Sequence, residues 1–359
     1  MISAFLWLFY EFCSQELPVQ KAEFIIVGPN QIRTTLSEPQ TLKIHAYNHL
    51  GQTLGSHREM LPAGTATRPT SWRTSAPYLL IISSDSYSQS ISRSLGSSSS
   101  GVRLSRPHGM RRVPEGAYRI GSPATEANRF FDELLHWVHL SAFWIDTTPV
   151  TRCVFQALMG TLPLGTTCNQ PLCPADSLSW FDAMLFCNQR SKQERLDTAY
   201  SYREITRDSN GQISWISEVK IYPSTNGYRL PSEAQWEVAA RSGDTLTWPW
   251  GGDSPANFAW FFDNSKSYIH PIATRFPNRW GLYEMAGNVW EWAQDWYAPY
   301  DTMVSINPIQ ENLGLYRVLR GGSFADSLPQ LRCAFRNAAD PSLHLQGVGF
   351  RCVRPASSN

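Results

Sequence analysis

Hydrophobic and polar positions change rhythm several times along the chain. Between residues 20 and 60, short apolar runs at 22–27 and 41–47 are set off by the turn signals Gly28-Pro29-Asn30 and Glu38-Pro39 and predict strands of a small β unit. From Gly64 the chain turns to Ser, Thr, Pro and Gly, interrupted by an apolar run at 77–82 and closing in four serines and Gly101. Such a tract buries too little apolar surface to offset its ordering entropy, so residues 83–106 predict a flexible linker behind an N-terminal segment 1–82. At Arg111 the texture changes to dense Trp, Gly and turn residues. Segments 113–121 and 137–145 predict strands, and three short helices can be placed with their caps. Thr151 caps the first, which buries Val154, Phe155, Leu158 and Met159 and stops at Gly160. Ser179 with Asp182 forms a capping box for the second, with Phe181, Met184 and Leu185 on its apolar side, and Ser232 with Gln235 caps the third, which ends before Gly243. Beyond Trp248 the pattern is irregular, with turns at Pro249, Gly251-Gly252, Pro255, Pro277 and Pro299. Many loops and few helices indicate an α+β domain whose long connections carry function.

One stretch resists both periods. Residues 281–297, GLYEMAGNVWEWAQDWY, thread Trp290, Trp292 and Trp296 through Glu284, Glu291 and Asp295, and Gly287 with Asn288 interrupts any alternation. That predicts a tight turn between packed segments. Glu284, Glu291 and the carbonyls around Gly287 could converge as the hard oxygen set that Ca²⁺ prefers. From these residues alone, a Trp-rich core with solvated acids at its edge is the simpler reading.

Composition narrows the function classes. With 359 residues, 42% hydrophobic and 13% aromatic, the chain can bury a sizeable core. Lys and Arg number 31 against 30 acids, a net charge of +1, and no long basic run supplies a nucleic-acid footprint. Seven cysteines complete no zinc set; Cys168 and Cys173 are the close pair, able to form a loop disulfide or to lie in a turn. The apolar run 2–10 has the length of a signal-peptide core but lacks a basic start and meets Glu11 at once, a weak export signal that leaves cytoplasmic and exported locations open. No stretch is long enough for stable membrane insertion as a helix. His136, His139, His270 and His344 stand singly, and no nucleophile elbow, metal-protease, P-loop or dinucleotide fingerprint occurs.

The motifs at 116–122 (GAYRIGS), 227–241 (GYRLPSEAQWEVAAR), 281–297, 318–324 (VLRGGSF), 332–336 (RCAFR) and 349–353 (GFRCV) occur in one order. As an ordered set they resemble the formylglycine-generating enzyme, or sulfatase-modifying factor, family over about residues 109–354. The resemblance implies a domain at 107–354, followed by a tail 355–359, with C-type-lectin-like elements, much irregular structure and structural calcium, in a bacterial protein. Residue by residue it places calcium ligands at Glu284, Gly287, Val289 and Glu291, with Asn257 opening a second site. The family's oxidases use two cysteines soon after Gly-Gly-Ser to hold Cu(I), which requires soft thiolates. Here residues 321–332 read GGSFADSLPQLR, with Asp326 where the first thiol would stand. Copper-dependent oxidation is therefore not expected. The resemblance also pairs Cys187 with Cys352 in a disulfide, and puts Ala240 where a partner for Cys333 would be.

What remains is binding. On the family's layout, segments 324–328 and 335–346 meet at the substrate surface, displaying Ser323, Phe324, Asp326, Leu328, Phe335, Asp340, His344 and Leu345 to a peptide, protein or glycan ligand. Phe324 and Phe335 equally suit the core, and Arg336 and Arg351 brace loops. The alternatives are an active formylglycine-generating oxidase and, from the similar C-terminal layout, a diversified variable protein of a diversity-generating retroelement.

Overall fold

The structure, a computed structural model, describes residues 109–356 except 163, 164, 302, 304 and 313, together with the backbone of seven strands between residues 23 and 93. The chain divides into two units, Met1–Leu104 and Ser105–Asn359. The apolar run 2–10 and residues 94–108 lie outside the described residues.

The first unit holds two antiparallel sheets. One joins β1 (Glu23–Ile26), β2 (Gln31–Leu36) and β5 (Gly64–Pro69); the other runs in the order β4 (Thr53–Leu61), β3 (Gln40–Asn48), β6 (Tyr78–Ser84), β7 (Tyr87–Arg93). The β character expected at 22–27 and 41–47 corresponds to β1 and β3. Two expectations are corrected: β5 lies in the Ser/Thr-rich tract, and β7 occupies the start of the expected linker, because serine and threonine can fill a ladder when a paired neighbour supplies the hydrogen bonds.

In the second unit, each long strand expected near its start is two shorter ones. Pro114 ends β8 (Met110–Val113) before β9 (Gly116–Ile120), and Ser141-Ala142 separates β10 (His136–Leu140) from β11 (Phe143–Asp146), which lies in a different sheet. The three helices are α1 (Arg152–Met159), α2 (Trp180–Gln193) and α3 (Glu233–Ala240). Thr151 caps α1, and both expected capping boxes form. In α1 Phe155 is buried and Leu158 and Met159 pack half-buried against the same core, as expected; Arg152 is also buried, while Val154 is exposed, a correction to the expected face.

The resistant stretch owes its lack of period to complete enclosure. All seven residues of β12 (Trp290–Trp296) are buried; the strand is antiparallel to β13 (Arg317–Arg320) and parallel to β14 (Val348–Gly349), so neither face meets water. Its indoles and those facing it find partners, Trp292 Nε1 donating to Leu178 O and Trp180 Nε1 to Ala293 O. Helix α3 packs on β12 and β13 and is buried at every residue. Glu233 and Glu237 therefore sit in the interior, where Arg320 and Arg336 hold Glu233, and Arg320 and Arg241 hold Glu237. Arg336 and Arg320 hold Glu233 below the usual carboxylate range despite burial.

Candidate functional site

The turn before β12 ties three segments together. Gly287 has φ 73°, and a Cβ there would lie 2.2 Å from the Trp260 carbonyl oxygen, so only glycine fits. Asn288, also left-handed at φ 62°, donates its N–H to Trp260 O and accepts from Phe324 N–H on its own carbonyl. Its side chain accepts from His270 N–H and donates to His270 O. Residues 260–270, 287–288 and 323–326 thereby form one unit. The loop 260–270 is bound further to the Gly-Gly-Ser segment by Ser265 Oγ donating to Phe324 O and by Phe262 N–H donating to Asp326 O.

The expected calcium set divides. Glu284 is buried in a left-handed turn (φ 50°); Oε1 accepts the Ala273 N–H at 2.7 Å and Oε2 has no partner. It lines a small cavity with Trp250, Phe258, Leu282, Met285 and Ala286. Burial, reinforced by Glu291, pushes its pKa up to about 8. Glu291 has both oxygens engaged: Arg351 binds it in two places, at 2.7 and 2.6 Å, and Trp236 Nε1 donates to it at 2.8 Å. As the side chains stand, Glu291 is an ion-pair partner rather than the ligand expected. Gly287 and Val289 belong to the turn beside it, and Asn257 ends an exposed 3-10 turn where its carbonyl accepts the Phe276 N–H.

The expected ligand surface is partly corrected as well. Ser323 and Phe324 are buried. Phe324 joins Cys168, Cys173, Ile269 and Val289 in an apolar cluster, and the Cys168–Cys173 disulfide staples the loop beneath it. Asp326, half-buried, turns Oδ2 onto the backbone N–H of Ser323 at 2.8 Å and accepts its hydroxyl at 2.5 Å. At the place of the expected first thiol there is thus a carboxylate locked into a local turn. Leu328 packs on the cluster around Trp250, and Leu345 on the main core. Phe335 sits edge-on to Phe130 and near Trp290. Asp340 accepts from Ser342 N–H and Oγ, and His344 Nε2 lies 2.9 Å from Asp182 of the α2 capping box. Gly347, just beyond the second segment, lies against the first: a Cβ there would be 3.1 Å from Phe324.

Cys187 and Cys352 face each other with sulfurs 3.6 Å apart as buried thiols, so the expected bridge is a close pair and not a bond. Cys333 is a buried thiol packed in one cluster with Ala240, and burial pushes its pKa up to about 12. Sequence reasoning passed over the loop 260–275. Its aromatic and basic residues carry no period, and its role comes from hydrogen bonds to segments distant in the chain.

Comparison with known proteins follows this architecture. The chain is 30% identical over 282 residues to the formylglycine-generating enzyme of Streptomyces coelicolor, covering 69% of this chain and 90% of that one. It is 42% identical over 230 residues to serine/threonine-protein kinase Pkn1 of Chlamydia trachomatis, covering 62% of this chain but only 35% of the kinase. Among solved structures, variable protein 1 of Treponema denticola superposes with a TM-score of 0.60 at 28% identity, over 69% of this chain and 95% of that one. The family model described as the sulfatase-modifying factor enzyme 1-like domain matches residues 99–356. With that match spanning most of its length, the chain belongs to the sulfatase-modifying factor (formylglycine-generating enzyme-like) family.

Proposed function

We propose that this domain binds a peptide, protein or glycan through the half-buried residues around Asp326, Asp340 and His344, without oxidising it. The observation that carries this reading is the Asp326 carboxylate, which occupies the place of the expected first copper thiol and is held by Ser323. A carboxylate is a poor ligand for Cu(I), and Cys333, the free cysteine nearest in sequence, is buried with a raised pKa that suppresses thiolate. A calcium ion at Glu284 belongs to the same proposal. The unpartnered Oε2 of a buried carboxyl is the oxygen such an ion would take, and it would favour the ionised form that burial opposes.

Two measurements test the reading. Purified protein loaded with copper and given a cysteine-containing peptide should consume no oxygen; copper-dependent consumption would restore the oxidase. On peptide and glycan arrays, Asp326→Ala and His344→Ala should remove the ligands that the native domain retains while leaving its melting temperature within a few degrees. Retention of those ligands by both variants would exclude this surface. Because the superposable Treponema protein is a variable protein, a diversified binding surface is the second reading, favoured if related chains differ chiefly at residues 325–328 and 338–345.

A further inference from the structure

We propose that Arg275, laid flat on Trp260, anchors a subsite for an oxyanion: a carboxylate, sulfate or phosphate group carried by a ligand. The guanidinium carbon lies 3.5 Å from the Trp260 ring centre. The His270 ring lies 3.6 Å from the same indole and within 10° of parallel. Two planar groups in van der Waals contact with one ring centre cannot share a face, so the indole is sandwiched between them. Trp260 Nε1 donates to Thr274 Oγ1 at 2.9 Å, which fixes the ring in its plane. Beneath it, His270 Nε2 donates to the Ser265 carbonyl at 2.8 Å, and burial together with the nearby Arg275 and Lys266 lowers its pKa, so the imidazole is neutral and the charge of the stack resides on Arg275.

Arg275 lacks a counter-charge and is reachable from solvent, unlike Arg152, Arg229 and Arg317, which also pair with no carboxylate among the described residues but are buried. Arg320, Arg332, Arg336 and Arg351 each meet a carboxylate. Among the described residues no carboxylate pairs with Arg275, and its Nε is buried without a partner, although the side chain is only half-buried and therefore reachable. A cation partly withdrawn from water without compensation is costly unless something supplies the missing oxygens. Lys266 adds a second positive charge from an exposed position, and it too has no ion-pair partner among the described residues. It is held in the left-handed region at φ 56°, followed by Ser267 at 63°; two successive strained non-glycine residues mark a loop fixed by its surroundings. A guanidinium held in one plane has already lost its rotamer freedom, and its donor edge suits two oxygens of one anion.

The test uses the full chain carrying 5-fluorotryptophan, with the Trp260 resonance identified by Trp260→Phe. Sodium acetate, sulfate and phosphate are each titrated at constant ionic strength against chloride. A saturable shift of the Trp260 resonance with an oxyanion and not with chloride is expected, lost in Arg275→Gln and weakened about tenfold in Arg275→Lys, which keeps the charge but not the fork. The oxyanion that binds most tightly identifies the group. No saturable shift with any of the three, or an equal shift in Arg275→Gln, overturns the assignment. Should Arg275→Gln fail to fold, the native titration together with Arg275→Lys decides. Because only inorganic ions and acetate are used, the outcome is independent of whether Asp326 and His344 bind a ligand.

Discussion

Replacing Glu284 by glutamine should stabilise the cation-free domain at neutral and alkaline pH and abolish any response to calcium. The carboxyl is 4% exposed, with one oxygen accepting the Ala273 N–H, which an amide oxygen can equally accept, and the other without a partner. Burial raises its pKa from 4.5 to about 8, so the folded value lies above the unfolded one. The stabilisation from retaining that proton is complete below the unfolded pKa and is lost as pH rises through the folded one. At about 1.4 kcal/mol per pH unit, the loss between pH 5 and pH 8 is roughly 3 kcal/mol, or roughly 10 °C in melting temperature for a domain of this size. Asp295, raised by burial to about 7, titrates in both proteins, so the difference between them isolates Glu284. Thermal melts from pH 5 to 8 in chelator should converge at the acid end and diverge above it, with Glu284→Gln melting higher. Added calcium should raise the native melt near pH 8 and leave the variant unmoved. Parallel melts in chelator would refute the buried, protonated carboxyl, and an equal calcium shift in both proteins would remove Glu284 as a ligand.

Arg320→Ala leaves Glu233 and Glu237 each short of a buried cation and should cost about 3–5 kcal/mol in urea unfolding; a loss under 1 kcal/mol would show that water reaches them. Replacing Cys168 and Cys173 together by alanine frees the loop beneath Phe324 and should cost about 2 kcal/mol on the chain-entropy account. Unchanged stability together with unchanged amide protection at residues 323–326 would show that the staple does not support that segment. Cys333, its pKa pushed up to about 12, should resist iodoacetamide at pH 8 in the folded protein and react only in denaturant; mass spectrometry showing rapid native labelling would contradict its burial.

Legibility followed the range of the interactions. The capping boxes of α2 and α3 involve residues three apart, and Ser179, Asp182, Ser232 and Gln235 could be read directly. Gly287 announced its turn because a positive φ is a local requirement, whereas the Trp260 carbonyl that also excludes a side chain there could not be foreseen. Val154 was misread because its helix packs on one narrow side. The burial of Glu233, Glu237 and Glu291 was invisible, since each is matched to an arginine 60 to 103 positions away by contacts only the fold creates, as with Glu291 and Arg351 at a separation of 60. At the candidate site, the loss of the thiols could be read from Asp326, whereas its bond to Ser323 and the Arg275, Trp260 and His270 stack required the chain to close on itself.

Helix α3 has no wet face, and this makes it an internal gauge. Its amides can exchange with deuterium only when the surrounding unit opens, so their uptake reports the free energy of that opening, whereas the loop at 262–268, exposed at most of its positions, needs only the release of its own tethers to exchange. A ligand or cation that slows exchange in α3 tightens the whole unit. One that slows it only in the loop has merely covered a surface, and a single labelling experiment separates the two.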